Sequence, residues 1–297
     1  MSSKFRTFMM ALILIPCMFV FAGCNAQLDQ KVSLDTRGNY SNTSTPANAK
    51  AAVEDSNINE VNISTSSLRM SMDFAITMQS IVTEGSMTYI IKATKSSETK
   101  TKYESAARIR ANAQTGEINE SALISCYNIR DIDSDNSDNN SIKSYIDYNV
   151  TDPADPTKKL TGKYDISTNH DIADVTDTFD DLMDVTMDTI NNYLPNSDGW
   201  TAVWSNNKAQ YAIATSGNTT KVRITTPAVK DSDDKVIVPE ANVYYIITDG
   251  KFVGIQVEKI TLTFGPISIT CSFGLTTFDG NIDMPNFNDY AENPAQS

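Results

Sequence analysis

From Leu68 onward the chain alternates apolar and polar positions with a period of two. In "LRMSMDFAITM", Leu68, Met70, Met72, Phe74, Ile76 and Met78 fall on one side, with Arg69, Ser71, Asp73 and Thr77 between them. That is the pattern of a strand with one face turned to a core. The period recurs in Met87, Tyr89, Ile91 and Ala93, then in Tyr103, Ser105, Ala107, Ile109 and Ala111. Further strands are predicted at 117–129, 142–150 and 157–167, then near 199–205, 208–215, 219–226, 242–248, 251–264 and 267–279. Asp249-Gly250, within "VYYIITDGKFVGIQV", supplies the positive-φ pair of a two-residue type I′ hairpin.

One segment changes period. Residues 171–194, "DIADVTDTFDDLMDVTMDTINNYL", place Ile172, Val175, Phe179, Leu182, Met183, Met187, Ile190 and Leu194 at three- and four-residue steps, which predicts a long helix. Its other face is a stripe of aspartates from Asp171 to Asp188, read as a solvated face. About ten to twelve strands 4.7–4.9 Å apart make a sheet about 50 Å wide. A helix of this length is about 36 Å long and only 10–12 Å across, too narrow to cover such a sheet. The expected fold is therefore mainly β with one long helix (α+β). The sheet would be a strongly curved antiparallel half-barrel of about 10–12 strands packed on the helix at 171–194, with a two-sheet sandwich as the alternative.

The N-terminus carries a different signal. Lys4 and Arg6 precede an apolar run from Phe8 to Phe21, the layout of a signal peptide over residues 1–23. The run is shorter than the roughly 20 apolar residues that span a bilayer. Phe21-Ala22-Gly23-Cys24 resembles the lipobox of bacterial lipoproteins, although Phe21 stands where an aliphatic residue is usual. The resemblance implies lipidation of Cys24, removal of Cys17 with the signal peptide, and an extracytoplasmic protein anchored to a bacterial membrane. Residues 24–60, as in "RGNYSNTSTPANAK", hold few bulky apolar side chains and predict a disordered polar tether. Such a tether would hold the domain on the order of 30–35 Å from its anchor. Ala47 to Asp55 is a weak helix candidate within it, with an apolar face mainly of alanine. A single β-rich domain is expected over 61–285, followed by a C-terminal tail at 286–297.

Charge narrows the partners. Losing Lys4 and Arg6 with the signal peptide takes the net charge from −13 to −15, a surface that repels nucleic acid and anionic headgroups. Nucleic-acid binding is excluded, and membrane contact is expected through the lipid anchor only. His170 is the only histidine, so a Ser/His/Asp or Cys/His relay would depend on it alone, and at a loop position by a helix start it reads as a surface residue. Zinc sites built on several His and Cys are excluded by count. The loop "DIDSDNSDNN" places Asp131, Asp133 and Asp135 at alternate positions, as a calcium loop does. Asn136 then replaces the turn glycine and Ile142 the bidentate glutamate, so a solvated hairpin loop is the reading. No metal, cofactor or catalytic residue is expected; a carboxylate hydrolase is the least favoured class, because no acidic pair stands out. Cys126 and Cys271 each lie in a predicted strand and form a possible disulfide if their Cα atoms lie within about 7 Å. Two buried free thiols are the favoured reading.

Lipobox, polar tether, antiparallel meander, mid-chain helix and Asp-Gly hairpin together are similar to the half-barrel lipoprotein carriers, the LolA- and LppX-like group, over most of residues 60–285. The resemblance implies a cavity that holds an apolar small molecule or lipid, such as an acyl chain, or a lipoprotein, without catalysis. Six of the seven methionines beyond residue 23 fall on predicted apolar faces, where their flexibility suits variable apolar partners. The ligand-lining candidates are Met70, Met72, Phe74, Met78, Met87, Tyr89, Phe179, Met183 and Met187. The alternative function is a non-catalytic structural or protein-interaction module of the cell envelope, its protein partner unspecified. Replacing Cys24 with Ala should abolish incorporation of labelled fatty acid; unchanged labelling would remove the anchor.

Overall fold

The computed structural model describes residues 26–41, 45–62, 66–78, 81–115, 118–152, 155–167, 193–195, 197–205, 208–230, 236–238, 240–264 and 266–292. Two α-helices, α1 (Pro46–Glu54) and α2 (Asp198–Ser205), are described. The strands in chain order are β1 (Leu68–Met78), β2 (Ile81–Lys95), β3 (Lys100–Thr115), β4 (Ile118–Asp133), β5 (Ser141–Asp152), β6 (Asp155–Asp165), β7 (Gln210–Ser216), β8 (Thr219–Thr226), β9 (Val229–Lys230), β10 (Val236–Val238), β11 (Ala241–Thr248), β12 (Lys251–Phe264), β13 (Ile267–Thr277) and β14 (Ala291–Glu292). The fold is mainly antiparallel β, and the described helices are short. The helix expected at 171–194 lies outside the described residues except for Tyr193 and Leu194. The chain divides into two compact units, the first from Met1–Gln30, Ser80–Val185 and Phe278–Ser297, the second from Lys31–Gln79 and Thr186–Thr277.

In the first unit the strand order is β14-β6-β5-β4-β3-β2. β2 and β3 pair without a slip from Ile81↔Thr115 to Lys95↔Thr101, so the alternation keeps its phase along both. Met87, Ile91, Ala107, Ile109, Cys126 and Ile146 are buried on the face that the period-two pattern marks. The opposite face is buried too. Ile90, Ala106, Tyr127 and Tyr145 stand directly across from one another on four adjacent strands. They are covered by Leu28 from the start of the chain and by Ile282 and Tyr290, with Phe278, Met284 and Phe287, from its end. Phe287 stacks on Tyr145 with ring centroids 3.9 Å apart, a contact worth about 0.5–1.5 kcal/mol beyond the area it buries. The tail expected to begin at 286 is thus packed as far as Glu292, where β14 adds in parallel to β6 through Ala291↔Tyr164 and Glu292↔Asp165.

In the second unit the order is β1-β13-β12-β11-β8-β7, with β9 and β10 forming a separate pair. Asp249 and Gly250 join β11 to β12 with φ values of 54° and 72°, the conformation a type I′ hairpin requires. On the face opposite Met70, the row Ser71, Gly274, Gln256, Tyr244, Arg223 and Ala212 runs across the sheet in register. An extended strap, residues 31–41, crosses this face. The Val32 amide donates to Ser71 Oγ at 2.8 Å, and the Val32 side chain fills the space over Gly274, where a Cβ would come within 2.8 Å of it. The Leu34 side chain lies over Gly254 in the same way, at 2.9 Å. Asp35 accepts from Lys221 Nζ at 2.9 Å. Tyr40 packs against Tyr244 and beneath the Arg223 guanidinium, 4.6 Å from its ring centre. Ser41 closes the crossing by exchanging backbone hydrogen bonds with Ile213 of β7, at 2.9 and 3.4 Å. Five strand spacings make about 24 Å, within the roughly 33 Å that ten extended residues reach.

The strap and its continuation correct the expectation of a disordered tether. Leu28 and Val32 are 2% and 8% exposed, and Ala49, Val53 and Ile58 are fully buried. The segment has few apolar side chains, but Val32 and Leu34 land over glycines of the sheet and Leu28 in the apolar cluster of the first unit. α1 begins at Thr45, whose side chain accepts from the Asn48 amide at 3.2 Å, an N-cap. Ala49 and Val53, four residues apart, form its buried stripe. Residues 199–205 are also not the strand expected. Ser197 Oγ accepts from the Trp200 amide at 3.0 Å and starts α2, and Trp200 and Trp204 lie one turn apart on it, facing Tyr245. Trp204 also stacks on Tyr211. Apolar side chains at 200, 202 and 204 fit alternation as well as a helical turn, and packing chooses the turn. If the segment before residue 61 is part of the core, a chain beginning at residue 61 should show a strongly lowered urea midpoint. Each large apolar side chain removed contributes about 1.5–3 kcal/mol to a total of about 5–15 kcal/mol. An unchanged midpoint would restore the tether.

Candidate functional site

β1 and β13 pair without interruption from Leu68↔Thr277 to Met78↔Ile267. This register sets Met72 beside Phe273, Phe74 beside Cys271, Ile76 beside Ile269 and Met78 beside Ile267 on one face. β12 adds Val257 opposite Phe273 and Ile260 opposite Cys271. Between those two pairs β12 advances three residues while β13 advances two, a β-bulge. Without the extra residue Ile260 would point to the other side, because a single step inverts every side chain. The bulge thus continues the apolar band along β12. It also carries Glu258, whose carboxylate accepts from Tyr244 Oη and Asn242 Nδ2, both at 2.8 Å, on the strap side.

Burial along this band is uneven. At one end Leu68, Leu275 and Ile255 have no exposure, and Met70 has 2%. In the remainder Met72, Met78, Ile267, Ile269, Cys271 and Ile260 are only half-buried, while Phe74 and Ile76, between the two methionines on β1, are 9% and 6% exposed. A sheet face that is partly exposed while its side chains stay apolar differs from a solvated face, which would turn polar. Tyr193 lies over the band with its ring 5.4 Å from that of Phe273, and its carbonyl accepts from Tyr245 Oη at 2.9 Å. Burial pushes the Tyr193 hydroxyl and the Cys271 thiol up from their ordinary values. A raised thiol holds little thiolate, the reactive form. The chemistry available on this face is therefore dispersion and apolar burial.

The structure brings four of the ligand-lining candidates together, Met70, Met72, Phe74 and Met78, all on β1. Met70 and Phe74 are buried, whereas Met72 and Met78 are half-buried. Met87 and Tyr89 belong to β2 in the first unit; Met87 is buried, and burial raises the Tyr89 hydroxyl. Cys24, His170, Phe179, Met183 and Met187 lie outside the described residues. The lining candidates omitted Ile260, Ile267, Ile269 and Cys271. The alternation in "ISITCSF" was their signal, but it does not say which strand lies beside β1.

No disulfide joins Cys126 and Cys271. Across the ladders Cys126 faces Ala107 and Ile146, and Cys271 faces Phe74 and Ile260, so other residues hold the positions from which a bridge would form. In the 131–142 loop the Asp133 carboxylate accepts from Asn139 Nδ2 and from the Asp135 amide, at 3.1 and 3.2 Å. These bonds, the Asn139 one foremost, hold it below the usual carboxylate range. Asp131 accepts from Ser141 Oγ. The Asp131 and Asp133 carboxylates are thus engaged in closing this loop. Among the described residues no group of three or more His, Cys, Asp or Glu side chains is placed to hold a metal ion.

No protein-family model matches the chain, and no curated protein matches it. Among solved structures it is similar to a beta-barrel-like protein of a domain of unknown function, DUF1849, from Brucella abortus. That match has 9% identity over 72% of this chain and 99% of the other, with a TM-score of 0.25. It is also similar to the translocator domain of the autotransporter NalP from Neisseria meningitidis, at 10% identity over 71% and 87% of the two chains and a TM-score of 0.20. The beta domain of the Bordetella autotransporter Brka matches at 7% identity over 72% and 99%, with a TM-score of 0.21. At such low TM-scores none of the three bears on what the apolar band binds.

Proposed function

We propose that the protein is a lipid-anchored extracytoplasmic binding or carrier protein for a hydrophobic ligand, with Cys24 as the anchor and the half-buried part of the β1, β12 and β13 face as the contact surface. The observation that carries the reading is the set of half-buried apolar side chains Met72, Met78, Ile260, Ile267, Ile269 and Cys271, which share one face with the buried Phe74, Ile76 and Phe273 and with a closed core at Leu68 and Leu275. An acyl chain laid on such a band gains about 0.8 kcal/mol for each methylene it buries. Methionine adapts to chains of different length and unsaturation without a fixed shape of its own. The ligand class is a lipid, an acyl chain or the lipid moiety of a lipoprotein, and the reading requires no catalytic group.

The contrast between buried Met70 and half-buried Met72 and Met78 supplies the test. Replacing both Met72 and Met78 with Asp puts carboxylates at half-buried positions, where water can hydrate them. A fluorescent fatty acid should then bind at least about tenfold more weakly, a loss of about 1.4 kcal/mol, with circular dichroism and the melting transition nearly unchanged. Met70→Asp, at the closed end, should unfold the protein instead, since a buried unpaired charge costs several kcal/mol. If the wild-type protein takes up no apolar probe, or if the double variant unfolds outright, the band is ordinary core. A non-catalytic envelope interaction module then becomes the better account.

A further inference from the structure

The chain is clamped to the first unit within a few residues of Cys24. Gln27 Nε2 donates to the Asn281 carbonyl at 2.6 Å, and Gln27 Oε1 accepts from the Asp283 amide at 3.0 Å. Lys92 donates to the Asn281 side chain, which ties the same spot to β2. Leu28 is 2% exposed in the cluster with Ile90 and Ala106. Asp29 pairs with the buried Arg108 at 2.7 Å and with Arg110. Three consecutive residues are therefore held, by hydrogen bonds, by apolar burial and by ion pairs. Between Cys24 and Gln27 there are only three residue steps, a reach of at most about 11 Å, in place of the 30–35 Å that a free tether over residues 24–60 would have allowed.

We propose that the lipid anchor seats the first unit directly on the bilayer, with the surface around Gln27, Lys92, Asp279 and Asn281 against the lipid headgroups; this rests on the reading of Cys24 as the lipidated residue. The surface is polar and mixed in charge: Gln27 and Asn281 are amides, Lys92 is a cation, and Asp279 and Asp283 are exposed carboxylates. Such a surface suits hydrogen bonding in the headgroup layer and gives no reason for insertion among the chains. The net negative charge of the protein opposes adsorption on anionic lipid, so contact depends on the short covalent attachment. A second consequence is orientational, because residues far along β2 from Lys92 stand away from the bilayer. Glu84 is eight residues from Lys92 on that strand, about 27 Å.

The experiment uses the full-length protein purified from membranes and reconstituted in phosphatidylcholine vesicles that contain a headgroup nitroxide lipid. Cys126 and Cys271 are replaced with Ala, and a dye is attached at Asp279→Cys or at Glu84→Cys. Quenching should be several-fold stronger at position 279 than at position 84. Inserting a Gly/Ser linker of about twelve residues between Asn25 and Ala26, with an r.m.s. span of about 20 Å, should remove most of that difference while the melting transition stays in place. If the protein carries fatty acid on Cys24 but the two positions are quenched alike, or if the linker changes nothing, the seating is wrong and the anchor stands. If no fatty acid is found on Cys24, the anchor fails, and the seating fails with it.

Discussion

The constraint on which the rest of this structure depends is that both faces of its strands carry buried side chains, so each face needs a cover. An antiparallel sheet can leave one face to water, but a row such as Ile90, Ala106, Tyr127 and Tyr145 cannot be left there without exposing a large apolar surface. The cover in the first unit comes from both ends of the described chain, Leu28 on one side and Ile282, Phe287 and Tyr290 on the other. In the second unit it is the strap at 31–41. Sequence that looks like an appendage, polar and remote from the strands, thereby completes the core. Gly274 has the matching role in the sheet, since a side chain there would collide with Val32; at Gly254 it would meet the Leu275 carbonyl first and then Leu34.

Charge reinforces the same contacts. Arg108 and Lys221 lie on interior strands with 4% and 7% exposure, positions where an unpaired cation would cost several kcal/mol. Their acids come from the N-terminal segment: Asp29 for Arg108 and Asp35 for Lys221. Lys221 also donates to the Arg37 carbonyl at 2.7 Å, so an ion pair and a backbone acceptor together hold the strap. Hydrogen bonds from Arg37 and then Lys221 keep the Asp35 carboxyl well below the usual carboxylate range. A carboxylate depressed in this way supports the fold at neutral pH, and that support is lost as the pH falls through its folded-state pKa. The exposure of Asp35 to solvent keeps the effect small.

The candidate binding face differs from these covered faces in one respect. Along β1 and β13 the side chains remain apolar while several are only half-buried, Met72, Met78, Ile267, Ile269 and Cys271 among them, in contrast to Leu68 and Leu275 with no exposure. The bulge between Val257 and Ile260 extends that surface onto β12 where regular pairing would have ended it. The proposed anchor adds a spatial condition, because a segment clamped at Gln27, Leu28 and Asp29 has little slack beyond Cys24.

What the sequence determined by itself was whatever depends on neighbours along the chain. Period-two alternation located β1 to β6 and β11 to β13 to within a few residues, since consecutive side chains on a strand must point to opposite faces. The Asp249-Gly250 turn followed from the need for two positive φ angles, and period-two alternation put Met72 and Met78 on one face with Leu68 and Met70. The strap was also written in this code: Val32, Leu34 and Tyr40 share one side of an extended run, but three apolar residues among polar ones do not show that a sheet waits to receive them. Tertiary structure alone decided that these few side chains meet Gly274, Gly254 and Tyr244, that residues 198–205 turn into a helix to bring Trp200 and Trp204 onto Tyr245, and that Ile267, Ile269 and Cys271 lie beside β1. Each of these outcomes rests on contacts between residues far apart in the chain, whose energy comes from shape and burial that no local pattern records.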